Sequence, residues 1–153
     1  MTTLLMALAL LTADTMTGKV VSVTDGDTIV VLVDKLDVKV RLDGIDAPER
    51  RQAFGNAARE RVAALTFGKV VTLHTKGKDR YGRTIATVIA DERSVNVAMV
   101  RDGLAWHYRE YSKDSELAEA EREARAAKRG LWADDMPVAP WEFRKRPAKK
   151  KAA

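Results

Sequence analysis

The chain reads as an α+β protein, mainly β, in which a five-stranded barrel carries three helices. Three features of its 153 residues predict this. Short β-branched runs follow one another near the start, separated by turn residues. A helical repeat then intervenes before two more such runs. Two further capped helical stretches close the sequence. This length supplies one hydrophobic core and not two, so a single domain over 18–133 is expected.

The elements follow in order. Val20 to Val23, Thr28 to Val33 and Val38 to Leu42 form a three-strand meander, with Asp25-Gly26 and Asp34-Lys35-Leu36-Asp37 as its turns. In the third run Val38, Val40 and Leu42 alternate with Lys39, Arg41 and Asp43, which turns Arg41 away from the apolar face. Phe54, Ala58, Val62 and Leu65 recur at helical spacing, and Gly68 stops that helix. Val70 to Leu73 and Ile85 to Ile89 return to strand, with Lys76 to Gly82 as the loop between them. Ser94 caps a second helix ending near Gly103, and Asp114 or Ser115 caps a third. That third helix carries Leu117, Ala120, Ala124, Ala127 and Leu131 on one face, and its exposed face, rich in alternating Glu and Arg, reads as solvated charge. Five strands with a helix between the third and fourth is the arrangement of an OB-type barrel.

Composition narrows the chemistry. Without cysteine there is no disulfide, thiolate zinc site or cysteine nucleophile. His74 and His107 lack metal-ligand spacing, so a metal, if used, is a hard cation on oxygen. Of 27 basic and 22 acidic residues, six basic ones and a single acid fall in 141–153, leaving 21 of each in the body. The tail alone makes the protein basic. It is expected to be unstructured, either contacting polyanions by releasing counterions or only solubilising the chain. At the other end, Leu4 to Leu11 is an apolar run too short to span a bilayer. With Leu11-Thr12-Ala13 as a cleavage site it reads as a signal peptide over 1–13, although no Lys or Arg precedes it. A secreted or periplasmic protein is therefore expected, cytoplasmic if that reading fails.

Three segments concentrate charge where strands end: Asp25-Gly26-Asp27-Thr28, Arg41 through Glu49, and Asp79-Arg80-Tyr81-Gly82-Arg83. Each alone is an ordinary turn. Their order, followed by Val95-Asn96 and Gly103-Leu104-Ala105, resembles the thermonuclease (staphylococcal nuclease-like) family over about Lys19 to Trp132. The resemblance implies an OB barrel with three helices and a calcium-dependent nuclease that cuts DNA and RNA with little sequence specificity, leaving 3′-phosphate ends.

It also implies roles. Asp25, Asp27, Asp46 and Glu49, if brought together, repel one another unless a cation intervenes. By resemblance Asp27 and Asp46 are direct calcium ligands, the backbone carbonyl of Ala47 is a third, and Asp25 acts on a metal-bound water. The family often has Thr where Ala47 stands, which a carbonyl ligand tolerates. Arg41 and Arg83 match the guanidinium donors that stabilise phosphoryl charge, and Glu49 the carboxylate that orients or deprotonates water. Tyr81 carries over as a substrate contact. Trp106, Tyr108 and Tyr111 offer rings for base stacking, with Tyr108 and Tyr111 taken as substrate-binding. Trp132 reads as a packing residue. The span from Glu49 to the first helix is shorter than in some relatives, whose longer loop helps position that glutamate. A monomer without an obligate protein partner is expected. The alternative is a noncatalytic OB-fold module that binds nucleic acid, which gains nothing from a glutamate beside a phosphate. Deleting 141–153 is expected to abolish tail-driven binding and to spare nuclease activity.

Overall fold

Alternating burial along the strands shapes a closed barrel in the computed structural model, which describes residues 14–147. Strands β1 (Thr15–Asp25), β2 (Thr28–Val33) and β3 (Leu36–Leu42) form the expected meander. A two-residue strand β4 (Ile45–Asp46) follows, then helix α1 (Gly55–Thr66). Strands β5 (Val70–Lys78) and β6 (Thr84–Ala90) pair antiparallel, and β5 lies beside β1. The barrel shuts where β3 runs parallel to β6, with Val40 opposite Thr84 and Leu42 opposite Ala86. The order β3-β2-β1-β5-β6 thus closes on itself, as five strands of an OB barrel do.

Inside are Val20, Ile29, Val31, Val40, Leu42, Val71, Leu73, Ala86 and Val88, all buried. The helix α1 sets Ala58 and Val62 on this core. After a short strand β7 (Arg93–Ser94), helix α2 (Val95–Arg101) starts where the Ser94 hydroxyl accepts from the Val97 N–H. Strand β8 (Trp106–His107) pairs with β4, with Asp46 opposite Trp106. The Asp114 carboxylate then caps α3 (Ser115–Ala126). Trp132, in the single 3₁₀ turn Gly130–Ala133, packs with Ala124, Leu131 and Trp106 as a small second cluster.

Three local expectations change. Ala127 is an exposed helix cap and not part of the apolar face. Glu121 is buried on that face, where Arg109 and Arg125 pair with it, so the acids of α3 are not all solvated. The tail expected to be unstructured from residue 141 begins with a short helix, α4 (Pro140–Phe143), that lies against the barrel. Residues 148–153 and the proposed signal peptide over 1–13 lie outside the described residues.

Candidate active site

The turn between β1 and β2 places two acids side by side. Gly26 between them has no room for a side chain: a Cβ there meets those of Ala58 and Ala47 at 2.7 and 2.8 Å. The turn is thereby pressed against α1 and the residues after β4. Asp27 is buried, and its oxygens accept from the Ala47 N–H at 2.8 Å and the Thr28 hydroxyl at 3.1 Å. Asp25 accepts from the Asp27 N–H at 3.1 Å. Gly55 serves the neighbouring loop, because a Cβ there falls 2.1 Å from the Glu49 carbonyl oxygen. Only glycine lets the start of α1 pass so close beneath Glu49.

Arg41, opposite Thr28 in the β2–β3 ladder, joins the two halves of the site. Its Nη1 donates to the carbonyls of Leu42 at 2.7 Å and Ile45 at 2.8 Å. Its Nη2 lies 3.4 Å from both Asp27 Oδ2 and Asp46 Oδ1. Asp46, with its side chain only 1% exposed, therefore faces Asp27 across a shared guanidinium. Arg83 approaches from the far side of Thr28, with Nη1 at 3.5 Å from the Thr28 hydroxyl, and Asp79 grips its Nε at 2.7 Å. Burial works to raise the Asp79 carboxyl, but hydrogen bonds from Arg83 and Tyr81 together outweigh it and hold the group below its ordinary range.

Burial is the leading influence on the three acids, and neighbouring arginines offset it unequally. Burial, then the charge of Asp27, pushes Asp25 up to about 7. Burial works to raise Asp27 as well, but Arg41 and its hydrogen bonds leave it below the ordinary carboxylate value. For Asp46 burial outweighs the hydrogen bonds from Arg144, and its carboxyl is raised. Such a set gains from a cation. Among the described residues no three His, Cys, Asp or Glu side chains form a complete metal cage. The two buried carboxylates, Asp27 and Asp46, are instead a partial, all-oxygen set, which suits a hard cation that keeps several waters.

Glu49 enters through a residue the sequence reading did not single out. Arg144, just after α4, places Nη1 at 2.8 Å from Glu49 Oε1 and Nη2 at 2.8 Å from Asp46 Oδ2. A continuous polar chain thus runs Arg83, Thr28, Asp27, Arg41, Asp46, Arg144, Glu49. Every residue expected at the catalytic and metal positions lies on it or touches it. Among the substrate candidates, Tyr81 is exposed, with the guanidinium carbons of Arg80 and Arg83 4.9 and 5.5 Å from its ring centre. Tyr108 is edge-on to Tyr111 at 4.8 Å and stacked flat on Trp141. Burial and then the charge of Asp46 raise the Tyr108 phenol, while Tyr111 is exposed.

Comparison with known proteins agrees with this geometry. Residues 39–134 match the family described as staphylococcal nuclease homologue. The chain is similar to a micrococcal nuclease of Shigella flexneri, 45% identical with 84% of this chain and 80% of the relative covered. It is likewise similar to protein ParB of Escherichia coli, 48% identical over 84% of this chain and 78% of that one. A staphylococcal-like nuclease of Arabidopsis thaliana is 40% identical, covering 70% of this chain but 33% of the plant protein. A barrel that holds paired arginines over paired carboxylates, a family match over more than half of the chain, and relatives of 45% identity or more over most of their length lead to one assignment: the chain belongs to the staphylococcal nuclease homologues and is a nuclease, a hydrolase of that family.

Proposed function

We propose that the protein is a calcium-dependent endonuclease that hydrolyses phosphodiester bonds of DNA and RNA with little sequence preference and leaves 3′-phosphate ends. The observation that carries this reading is Arg41 Nη2, held 3.4 Å from both Asp27 and Asp46 at the barrel mouth. A binding module has no use for two acids buried where a polyanion must sit. An enzyme that recruits a cation there does.

Asp27 and Asp46 would hold the ion, with the Ala47 carbonyl as a further ligand and Asp25 acting on a bound water. A bound calcium ion supplies positive charge that polarises the phosphate and offsets the repulsion among these acids. The other steps belong to side chains. Carbonyl contacts fix the Arg41 guanidinium and Asp79 fixes that of Arg83, so their remaining N–H groups are aimed before substrate arrives. Preaimed guanidinium groups stabilise charge that grows on the phosphoryl oxygens as water attacks. Glu49 orients that water and takes its proton. The bond from phosphorus to the 5′ oxygen breaks, and that oxygen takes a proton from solvent water as it leaves. Tyr81, Tyr108 and Tyr111 contact the nucleotide by ring faces and hydroxyls, which every base tolerates.

The supporting test is hydrolysis of denatured DNA and of RNA by purified protein with calcium, with excess chelator, and with Glu49→Gln. Cleavage that needs calcium and falls by orders of magnitude in Glu49→Gln, Arg41→Ala or Arg83→Ala is expected. Binding without cleavage under any divalent metal would move the protein to the noncatalytic class. The protein acts as a monomer and is exported, since the 1–13 segment resembles a signal peptide; an intact Met1 in exported protein, read by mass spectrometry, would refute export by cleavage.

A further inference from the structure

The C-terminal segment reaches the active site on firm supports. Ala139 and Pro140 are buried, and Gln52 Nε2 donates to the Val138 carbonyl at 2.6 Å. Trp141 lies on Tyr108 with ring centres 5.1 Å apart and planes 3° from parallel, and stands edge-on to Trp106 at 5.3 Å. Three residues later the Arg144 guanidinium takes both oxygens of Asp46, at 3.2 and 2.8 Å, and Glu49 Oε1 at 2.8 Å.

The Glu49 backbone is already fixed, since its N–H donates to the Gln52 side chain at 3.1 Å and its carbonyl accepts from the Gln52 N–H at 2.9 Å. Its side chain is different. It is 37% exposed and carries three rotatable bonds, so without a partner it would sample several rotamers. Among the described hydrogen bonds, the one that reaches its carboxylate comes from Arg144. The bidentate grip on Asp46, which is itself immobile in the interior, gives Arg144 a fixed reference from which to hold Glu49. The short path from Glu49 to α1 leaves no longer loop to do this.

We propose that Arg144 is a positioning residue of the nuclease site: it holds the Glu49 carboxylate at a set place relative to Asp46 and Arg41, and α4 exists to deliver it. This rests on the nuclease reading above. Both terminal nitrogens, Nη1 and Nη2, are engaged by carboxylates, so it acts through Glu49 and not by gripping phosphate. It reverses one expectation from the sequence: deleting 141–153 removes this contact and slows the enzyme.

The test uses the full chain with denatured DNA and saturating calcium, comparing wild type, Arg144→Ala, Arg144→Lys, Glu49→Gln and the double variant Arg144→Ala with Glu49→Gln. Arg144→Ala is expected to lower kcat by about tenfold or more with KM within about threefold, because misplacement of a reacting group costs rate and not affinity. Arg144→Lys regains part of the loss, and millimolar methylguanidinium restores part of the Arg144→Ala rate but none of the Glu49→Gln rate. In the double variant the arginine change adds nothing to the glutamate change. Calcium titration by calorimetry is expected to show affinity for Arg144→Ala at least equal to wild type, since a positive neighbour has been removed. A kcat unchanged or raised in Arg144→Ala, a loss confined to KM, an additive double variant or abolished calcium binding would each overturn the proposal. A wild type that cleaves nothing would overturn the nuclease reading itself, which separates the two failures.

Discussion

Asn96 offers the sharpest test of how the fold positions the site. It lies on α2, 2% exposed, and its amide makes three hydrogen bonds to other elements. Oδ1 accepts from the Val88 N–H of β6 at 3.0 Å, while Nδ2 donates to the Asp43 carbonyl at 2.9 Å and the Ala86 carbonyl at 3.3 Å. Truncation to alanine strips all three, but the consequences differ. The Ala86 carbonyl keeps the Asp43 N–H at 2.8 Å, so it stays satisfied. Val88 N–H and the Asp43 carbonyl lose the partner described here, and an orphaned buried group costs about 1–3 kcal/mol. Asn96→Ala should therefore lose about 3 kcal/mol, which at a slope of about 2 kcal/mol/M moves the urea midpoint down by about 1.5 M. The Asp43-Gly44 turn leads straight into Asp46, so the rate should fall as well. Asn96→Asp keeps the acceptor and loses the donor, facing two carbonyls with a carboxylate, and should be no better. A midpoint shift worth less than about 1 kcal/mol, at unchanged slope, would refute the claim that this amide ties α2 to the metal-side turn.

Two further outcomes are expected. Gly26→Ala forces a methyl against Ala47 and Ala58, which should cost about 1–3 kcal/mol by overpacking and lower the rate by moving Asp25 and Asp27, with far-ultraviolet circular dichroism unchanged. A Gly26→Ala enzyme with wild-type rate and stability would show that the turn has slack. Burial of His107, with help from Arg109, holds its imidazole below the ordinary value of 6.5 despite Glu121 and Asp114. The unfolded chain thus takes this proton first as pH falls, so stability should be lost from about pH 6.5 downward, ending at the folded pKa, with no effect above that range. Urea midpoints at pH 7.5 and 5.0 should fall further in wild type than in His107→Gln; equal falls would mean that His107 does not titrate differently in the two states.

The fold is most legible where a strand keeps a period of two, as β3 and β6 do. Val38, Val40 and Leu42 alternating with Lys39, Arg41 and Asp43 set both the inner face of β3 and the outward course of Arg41. The turns carrying Asp25, Asp27 and Asp46 were visible as motifs, although nothing in spacing alone says that residues 27 and 46 face each other; the shared Arg41 shows that. Glu121 falls outside the exposed charged face, and the sequence carries a usable signal for its burial. Leu117, Ala120, Glu121 and Ala124 share one helical stripe, and an acid on an apolar stripe must find cations, here Arg109 and Arg125.

Arg144 was harder, because it is one of six basic residues in 13 and its neighbours repel one another, the mark of an unstructured end. The available hint was apolar: Pro140, Trp141 and Phe143 stand just before the charges, and a tail that only solubilises has no need of a tryptophan and a phenylalanine at its root. Repulsion in the tail is a property of the extended chain. Once β4 and the loop that follows bring Asp46 and Glu49 both within 2.8 Å of one guanidinium, Arg144 between them offsets the repulsion of the two acids. These ion pairs add to the ring stack that holds α4, so a variant in which Glu49 and Asp46 are both made neutral should loosen α4 against Tyr108, which tryptophan fluorescence can report; unchanged fluorescence would place the anchor in the ring stack alone.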